Sequence, residues 1–266
     1  MRVGLTNDDG VDAPGLAHLA RHLHSLGHEV VISAPVRDMS GAGASTGADL
    51  RLIRGFEVRE TTVAGLPAHA VGAPPAVCAL LAVRGAYGPP VDVMVSGINP
   101  GANVGTSVLH SGTVGAVLTV GNFGVPGLAV SLDTSVETTD ELWASAAHLA
   151  SAVLERMRRH RVVAVASLNV PALPLAEIKG VRTTRLDATP GFRSTGVRTV
   201  QDNGDGSRLL TFTYAKMERV LDPASDVAAL LDGYASLTWL NSVSAGDPPP
   251  GFADLDINLS LTGDEP

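Results

Sequence analysis

Two adjacent carboxylates, Asp8 and Asp9, follow directly on the apolar run Val3 to Leu5. Neighbouring anions repel, so the pair asks for a cation. The plain alternative is an Asx-type turn closed by Gly10. Two further loops offer oxygen donors, the hydroxyl of Ser40 and the side-chain amide oxygen of Asn99. Such hard ligands suit Mg²⁺ or Mn²⁺, whereas zinc draws on His and Cys. Asp8, Asp9, Ser40 and Asn99 therefore read as ligands for one divalent metal ion. Ser111-Gly112-Thr113 opens a segment of helical pattern, where hydroxyls, free N–H groups and the positive end of the helix dipole make an anion site. Its plain alternative is an N-cap by Ser111 or Thr113. A cation beside an anion site points to a phosphoryl group. The cation would polarise its oxygens and lower the pKa of a bound water, and the helix start with Asn103 would stabilise the developing charge. His110 is the histidine best placed to hand a proton to the leaving group, its alternative being a loop residue packed under the substrate. Hydrolysis of a phosphomonoester is the expected reaction, with Asp8, Asp9, Asn99 and His110 as its catalytic residues.

The elements around these residues fall into a βα order. After strand Val3 to Leu5, the leucines at 16, 19, 23 and 26 predict a helix behind Pro14, with Gly27 as its stop, and His28 to Ala34 predicts a second strand. Arg37 to Gly47 is then a Gly/Ser loop on the same sheet edge as the aspartates. Leu50 to Ile53, Phe56 to Arg59 and His69 to Val71 read as rim hairpin strands, Pro74 to Arg84 as a helix, and Val91 to Val95 as a buried strand running into Ser96 to Asn103. Helix Val114 to Phe123, strand Gly127 to Val130, helix Thr139 to Arg159 and strand Val162 to Ala166 continue the pattern. Beyond Pro171 come a hairpin (Val197 to Val200, Leu209 to Tyr214, turn at Asp202 to Gly206), a short helix at Asp226 to Leu231, a strand at Ala235 to Leu240 and a Pro/Gly-rich tail from Ala245. The fold class is α/β, a mostly parallel sheet flanked by helices with a smaller C-terminal hairpin or arm.

Composition narrows the partners. The 266 residues are 45% hydrophobic but only 4% aromatic, the aliphatic balance of a sheet buried on both faces. A net charge of -8 without a basic stretch of nucleic-acid type argues against a nucleic-acid polymer, while small anions stay open if a metal reverses the local field. The lone Cys78 allows no internal disulfide or thiolate cluster and reads as a buried helix residue. Polar residues at Arg2 and Asn7 argue against a signal peptide, and Asn122 and Pro126 interrupt the longest apolar stretch, so the expected setting is cytoplasmic, without membrane contact. His18 and His22 lack the glutamate of a zinc-protease helix and read as solvated; Gly41-Ala42-Gly43 follows the wrong strand for a dinucleotide site; no GxSxG elbow is present.

LTNDDG, the stretch Ala34 to Gly43, SGINPGANVG from Ser96 and HSGTVGA from His110 resemble, in order and spacing, the motifs of the SurE survival-protein family, with Asn169-Val170-Pro171 and Asp232 to Ser236 similar to its later segments. The resemblance implies a Rossmann-like core, a metal-dependent 5′/3′-nucleotidase, Asp8, Asp9, Ser40 and Asn99 as metal ligands, and Asn103, Ser111, Gly112 and Thr113 around the phosphate. It also implies a C-terminal arm exchanged within a homodimer or homotetramer. The expected division is residues 1–167 for the core and 168–266 for arm, hairpin and tail. The chain departs from the family pattern at Ala73 to Ala76, at Thr106 and Ser107, at His110 where tyrosine is common, and at Leu118 to Val120. The resemblance makes a nucleoside monophosphate the first expected substrate, while these departures bear on nucleotide specificity more than on the phosphatase chemistry. A phosphorylated biosynthetic intermediate, or nucleotide binding with little turnover, is the alternative.

Overall fold

The structure is a computed structural model that describes residues 1–50, 54–188, 192–204, 206–216 and 220–241. It opens with β1 (Arg2–Thr6), whose Val3 and Leu5 are fully buried, and α1 (Pro14–Ser25), which starts on proline, a residue suited to a first helical turn. Leu16, Leu19 and Leu23 form the buried stripe of α1. Leu26, expected in that stripe, lies past the last helical residue and is largely exposed. His18 and His22 are also placed differently from the sequence reading. His18 Nε2 lies 3.2 Å from Asp140 with its ring against Trp143, and His22 Nε2 lies 3.0 Å from Ser151 Oγ. Both fill the seam between two helices because the polar flank of α1 meets a neighbour instead of water.

Strand β2 (Glu29–Pro35) is followed by the hairpin β3 (Val58–Val63) and β4 (Leu66–Val71), then α2 (Pro75–Val83) and β5 (Val93–Pro100). The hairpin is longer than Phe56 to Arg59 and His69 to Val71 suggested. Ala64 (φ 52°) and Gly65 (φ 80°) turn it with two left-handed residues, the backbone that a two-residue hairpin loop requires. The segment expected at Leu50 to Ile53 falls on residues 51–53, outside the described ones. Strand β5 starts later and ends later than Val91 to Val95. Its pairing shifts between Ser96 and Asn99 and then resumes, so Asn99 stands opposite Ser131 at a strand end instead of in a free loop. The chain continues through α3 (Gly112–Gly121), β6 (Gly127–Leu132), α4 (Asp140–Arg159) and β7 (Val165–Val170), the last displaced from Val162 to Ala166. Then come β8 (Val181–Thr184), β9 (Phe192–Asp202), β10 (Arg208–Lys216), α5 (Asp226–Leu231) and β11 (Ala235–Leu240). Sequence reasoning missed β8, four residues too short and polar to show a period. The tail from Ala245 lies outside the described residues.

Nine strands form one sheet in the order β3-β4-β2-β1-β5-β6-β7-β11-β8, and β9 pairs antiparallel with β10 in a second, two-stranded sheet. Strands β4, β2, β1, β5, β6 and β7 are parallel to their neighbours in that block, whereas β3 and β11 run against β4 and β7. Residue 167 lies within β7, and β11 and β8 extend the same sheet, so the main layer runs through the expected 167/168 division. Helices α1 and α4 cover one face around Leu16, Leu19, Leu128, Trp143 and Leu154, while Ala79, Met94, Ala116 and Val120 pack α2 and α3 on the other. From β1 the chain first moves to β2 on one side and later to β5 on the other. A crevice outside the carboxyl ends of β1 and β5 follows from that reversal, and ligands of open α/β sheets bind in such crevices.

Candidate metal and phosphate site

At the exit of β1 the turn is made by Asn7, whose Nδ2 donates to the Gly10 carbonyl at 2.9 Å, with Gly10 at φ 103°. The turn therefore does not occupy the carboxylates of Asp8 and Asp9. The two are treated differently by their surroundings. Asp8 is buried, and its Oδ1 accepts from the Thr113 hydroxyl. The N–H groups of Gly112 and Thr113, at the start of α3, also support this carboxylate. Burial pushes the Asp8 pKa up, and these donors pull against that rise. Only glycine fits at position 112, because a Cβ there would come within 2.8 Å of Asp8 Oδ2.

Asp9 has only its own backbone N–H to pull its pKa down. Its Oδ2 is enclosed and finds no hydrogen-bond partner among the described residues. Burial, then repulsion from Asp8 and Asp38, pushes its pKa up to about 7. An enclosed carboxylate oxygen without a donor is expensive unless something cationic meets it. A divalent cation would answer that need. Among the described residues no three His, Cys, Asp or Glu side chains gather into a metal-binding group. The donor set available is two carboxylates plus neutral oxygens, which fits a hard ion of the Mg²⁺ or Mn²⁺ kind.

The second loop is tied to the first where the Met39 N–H donates 2.7 Å to the Asp8 carbonyl. Ser40 stands exposed on this loop. Its N–H lies 2.7 Å from Asp38 Oδ1, and its hydroxyl also serves Asp38, whose pKa is held below the usual carboxylate range. In this arrangement Ser40 faces Asp38, a third carboxylate that sequence reasoning passed over although it lies two residues away. Asn99 is half-buried at the end of β5, and its Nδ2 donates to the Gly101 carbonyl at 2.7 Å. That bond fixes the amide through its nitrogen and leaves the oxygen as the available donor atom for a cation.

On the phosphate side, Ser111 realises the plain reading as N-cap of α3, its Oγ accepting from the Val114 N–H at 3.1 Å. Thr113 does not cap but bonds Asp8, so the metal candidate and the helix start expected as an anion site are in direct contact. Asn103 is gripped by Asn169. Its N–H donates to Asn169 Oδ1 at 2.7 Å, its carbonyl accepts from Asn169 Nδ2 at 3.0 Å, and its own Nδ2 donates to Ser131 Oγ at 2.9 Å. His110 is exposed at the end of a 3-10 turn, Gly105–His110, and its carbonyl accepts from the Gly43 N–H at 3.1 Å. The structure thus joins Asp8, Asp9, Gly112 and Thr113 most closely, brings the Ser40 and His110 loops against them, and sets Asn99 and Asn103 along the β5 exit. Asn169 and Ser131 support Asn103 from two other strands; Asn169 was marked by the family-like Asn169-Val170-Pro171 run but given no role, and Ser131 only by its polar character in an otherwise apolar strand.

The family model described as survival protein SurE matches residues 3–190, a span that holds every one of these residues. The chain belongs to the SurE family. It is similar to the 5′/3′-nucleotidase SurE of Cronobacter sakazakii, 37% identical over 247 residues that cover 91% of this chain and 90% of the relative. The 5′-nucleotidase SurE of Aeromonas hydrophila subsp. hydrophila is 36% identical over 243 residues, covering 90% of this chain and 92% of that one. Among solved structures, the SurE protein from Aquifex aeolicus superposes with a TM-score of 0.72 at 27% identity, over 90% of this chain and 93% of that chain. The α/β architecture and the family expectation are thereby established together.

Proposed function

We propose that this SurE-family chain is a metal-dependent phosphomonoesterase that hydrolyses nucleoside 5′/3′-monophosphates to nucleoside and phosphate. The observation that carries the reading is the contact between Asp8 and the start of α3, beside the unpartnered Asp9 Oδ2. A cation-seeking pair and a helix N-terminus meet within one side chain's reach. The relatives' names, 5′-nucleotidase and 5′/3′-nucleotidase, supply the substrate class.

In this reading Asp8, Asp9, Asn99 and Ser40 hold one Mg²⁺ or Mn²⁺, with Ser40 turning from Asp38 to do so. When bound, such an ion would polarise a phosphoryl oxygen and lower the pKa of the water whose oxygen bonds phosphorus as the ester oxygen leaves. The N–H groups of Gly112 and Thr113 hold Asp8, and the positive end of α3, with Ser111 fixed as its cap, draws the phosphate to the same place through the helix dipole. Asn103 presents its amide toward the same group, and His110 at the exposed rim hands a proton to the departing nucleoside oxygen. Thr113 keeps Asp8 in one rotamer, so the carboxylate is aimed before substrate arrives. The separate β9–β10 sheet carries exposed Val197, Val200, Leu209, Leu210, Phe212 and Tyr214, an apolar surface suited to pairing with another copy in a homodimer or homotetramer. Among the described residues no helix is long and apolar enough to cross a membrane, and the working compartment in this reading is the cytoplasm.

Phosphate release from a panel of nucleoside mono-, 3′- and 5′-phosphates, with and without Mg²⁺ or Mn²⁺, tests the proposal. Release that needs the metal supports it; no release from any member with either metal overturns it. Thr106 and Ser107, exposed beside the site where the family usually has acidic residues, favour one second reading. In it the same chemistry serves a phosphorylated biosynthetic intermediate, which would show as faster release from a non-nucleotide monoester.

A further inference from the structure

We propose that Asp226 and Asn169 are positioning residues that clamp the loop carrying Asn103 and His110, and so set how tightly substrate is held. The proposal rests on the nucleotidase reading for its substrate, and on the hydrogen bonds for its geometry.

Asp226 is fully buried at the start of α5, a position where an acidic residue ordinarily serves only the helix dipole. The capping role is already filled, since Ser225 Oγ accepts from the Ala228 N–H at 3.2 Å. The Asp226 carboxylate does more than cap. Its Oδ2 accepts from the Gly105 N–H at 2.7 Å, a residue 121 positions earlier, and its Oδ1 accepts from the Asp187 N–H at 3.0 Å and the Val227 N–H at 2.9 Å. A carboxylate shut away from water needs several donors, and charge-assisted bonds to N–H groups are stronger than neutral ones. Here the donors come from three separate segments, so one side chain joins them.

Gly105 opens the 3-10 turn that ends at His110. Two residues before it, the Asn169 side chain takes both the N–H and the carbonyl of Asn103, as a neighbouring strand would. The segment between Asn99 and Ser111 is therefore fixed at two points by β7 and α5. The carboxylates are fixed separately, Asp8 by Gly112 and Thr113 and by the β1 turn. Loosening the clamp should move Asn103 and His110 while leaving the aspartates in place.

The test uses the full chain carrying Asp226→Asn, and separately Asn169→Ser, assayed with Mn²⁺ for KM and kcat on adenosine monophosphate, for adenosine monophosphate binding by calorimetry, and for Mn²⁺ affinity. Asp226→Asn puts an amide N–H against a backbone N–H. Both variants are expected to lower kcat/KM about tenfold, mainly through KM, with Mn²⁺ affinity within about twofold of the parent. A folded variant that keeps the parental KM and nucleotide affinity overturns the proposal. So does one that loses Mn²⁺ affinity as far as it loses activity, because the clamp would then be general scaffolding. If Asp226→Asn does not fold, Asn169→Ser carries the same comparison alone. If the parent turns over no nucleotide, the functional reading fails by itself, and the calorimetric affinities still decide the clamp.

Discussion

The two halves of the site are held by different means. Asp8 and Asp9 leave β1 in a turn closed three residues along the chain, and their nearest supports are the helix start of α3 and the loop after β2. The half read as substrate-binding, Asn103 to His110, is held from afar by Asn169 and Asp226 in the last part of the chain. The first half contains an enclosed oxygen without a donor, while the polar atoms that fix the second half are bonded. In the proposed reading, the unsatisfied carboxylate oxygen beside a second carboxylate is the place that an ion would complete. A satisfied network marks the place that holds a shape.

The comparison breaks most sharply at Asp8. Asp8→Asn should remove metal-dependent phosphate release by about a thousandfold or more, since it weakens the cation's hold and the aim of α3 together. Unchanged turnover, measured at saturating Mn²⁺, would mean the two halves are wrongly assigned. Gly112→Ala comes next. Its added Cβ would stand 2.7 Å from Asp8 Cβ, so the carboxylate must shift, and a loss of about a hundredfold in kcat/KM is expected in a chain that still folds. Parental kcat/KM in that variant would show that Asp8 has room to spare.

A gentler probe uses pH. Asp9 has a folded-state pKa of about 7, above its ordinary value of 3.8, so it prefers to be protonated in the folded chain. Its contribution to stability is then full below about pH 4 and is lost as pH rises through about 7. In chelator, the parent should therefore lose more of its melting temperature than Asp9→Asn does over that window, and Mn²⁺ should cancel the difference by favouring the ionised form. Identical pH profiles for the two proteins in chelator would remove the argument from burial. The smallest effect is expected at His110. Being exposed, it should cost less than about tenfold on His110→Ala, with slow leaving groups affected more than an activated aryl phosphate. Equal slowing would leave it a packing role only.

Much of the metal half was legible in the sequence because its signals are local. An apolar run breaking into two aspartates predicts both the strand and the charge problem, and Ser111-Gly112-Thr113 ahead of an apolar run predicts the helix start. The helix at Asp226 to Leu231 and the strand at Ala235 to Leu240 were also read at their observed bounds. The clamp was not legible. Asp226 looks like an ordinary first-turn acid, and its partner lies 121 residues away, a separation that no periodicity reports. Asn169 sits in a mostly apolar strand, and its role depends on which loop crosses it. The extension of β5 through Asn99 was hidden for a related reason, since a polar Asn-Pro run reads as loop until a neighbouring strand is there to pair with it. Asp38 was overshadowed by Ser40, the better ligand by type, although the two side chains bond to each other.

The most direct measurement is a calorimetric titration of Mn²⁺ into the metal-stripped parent and into the double variant Asp8→Asn/Asp9→Asn, with phosphate release from adenosine monophosphate followed on the same samples. One ion bound per parent chain, and neither binding nor release in the double variant, is the predicted result. Parental Mn²⁺ binding and turnover in a folded double variant would contradict the account.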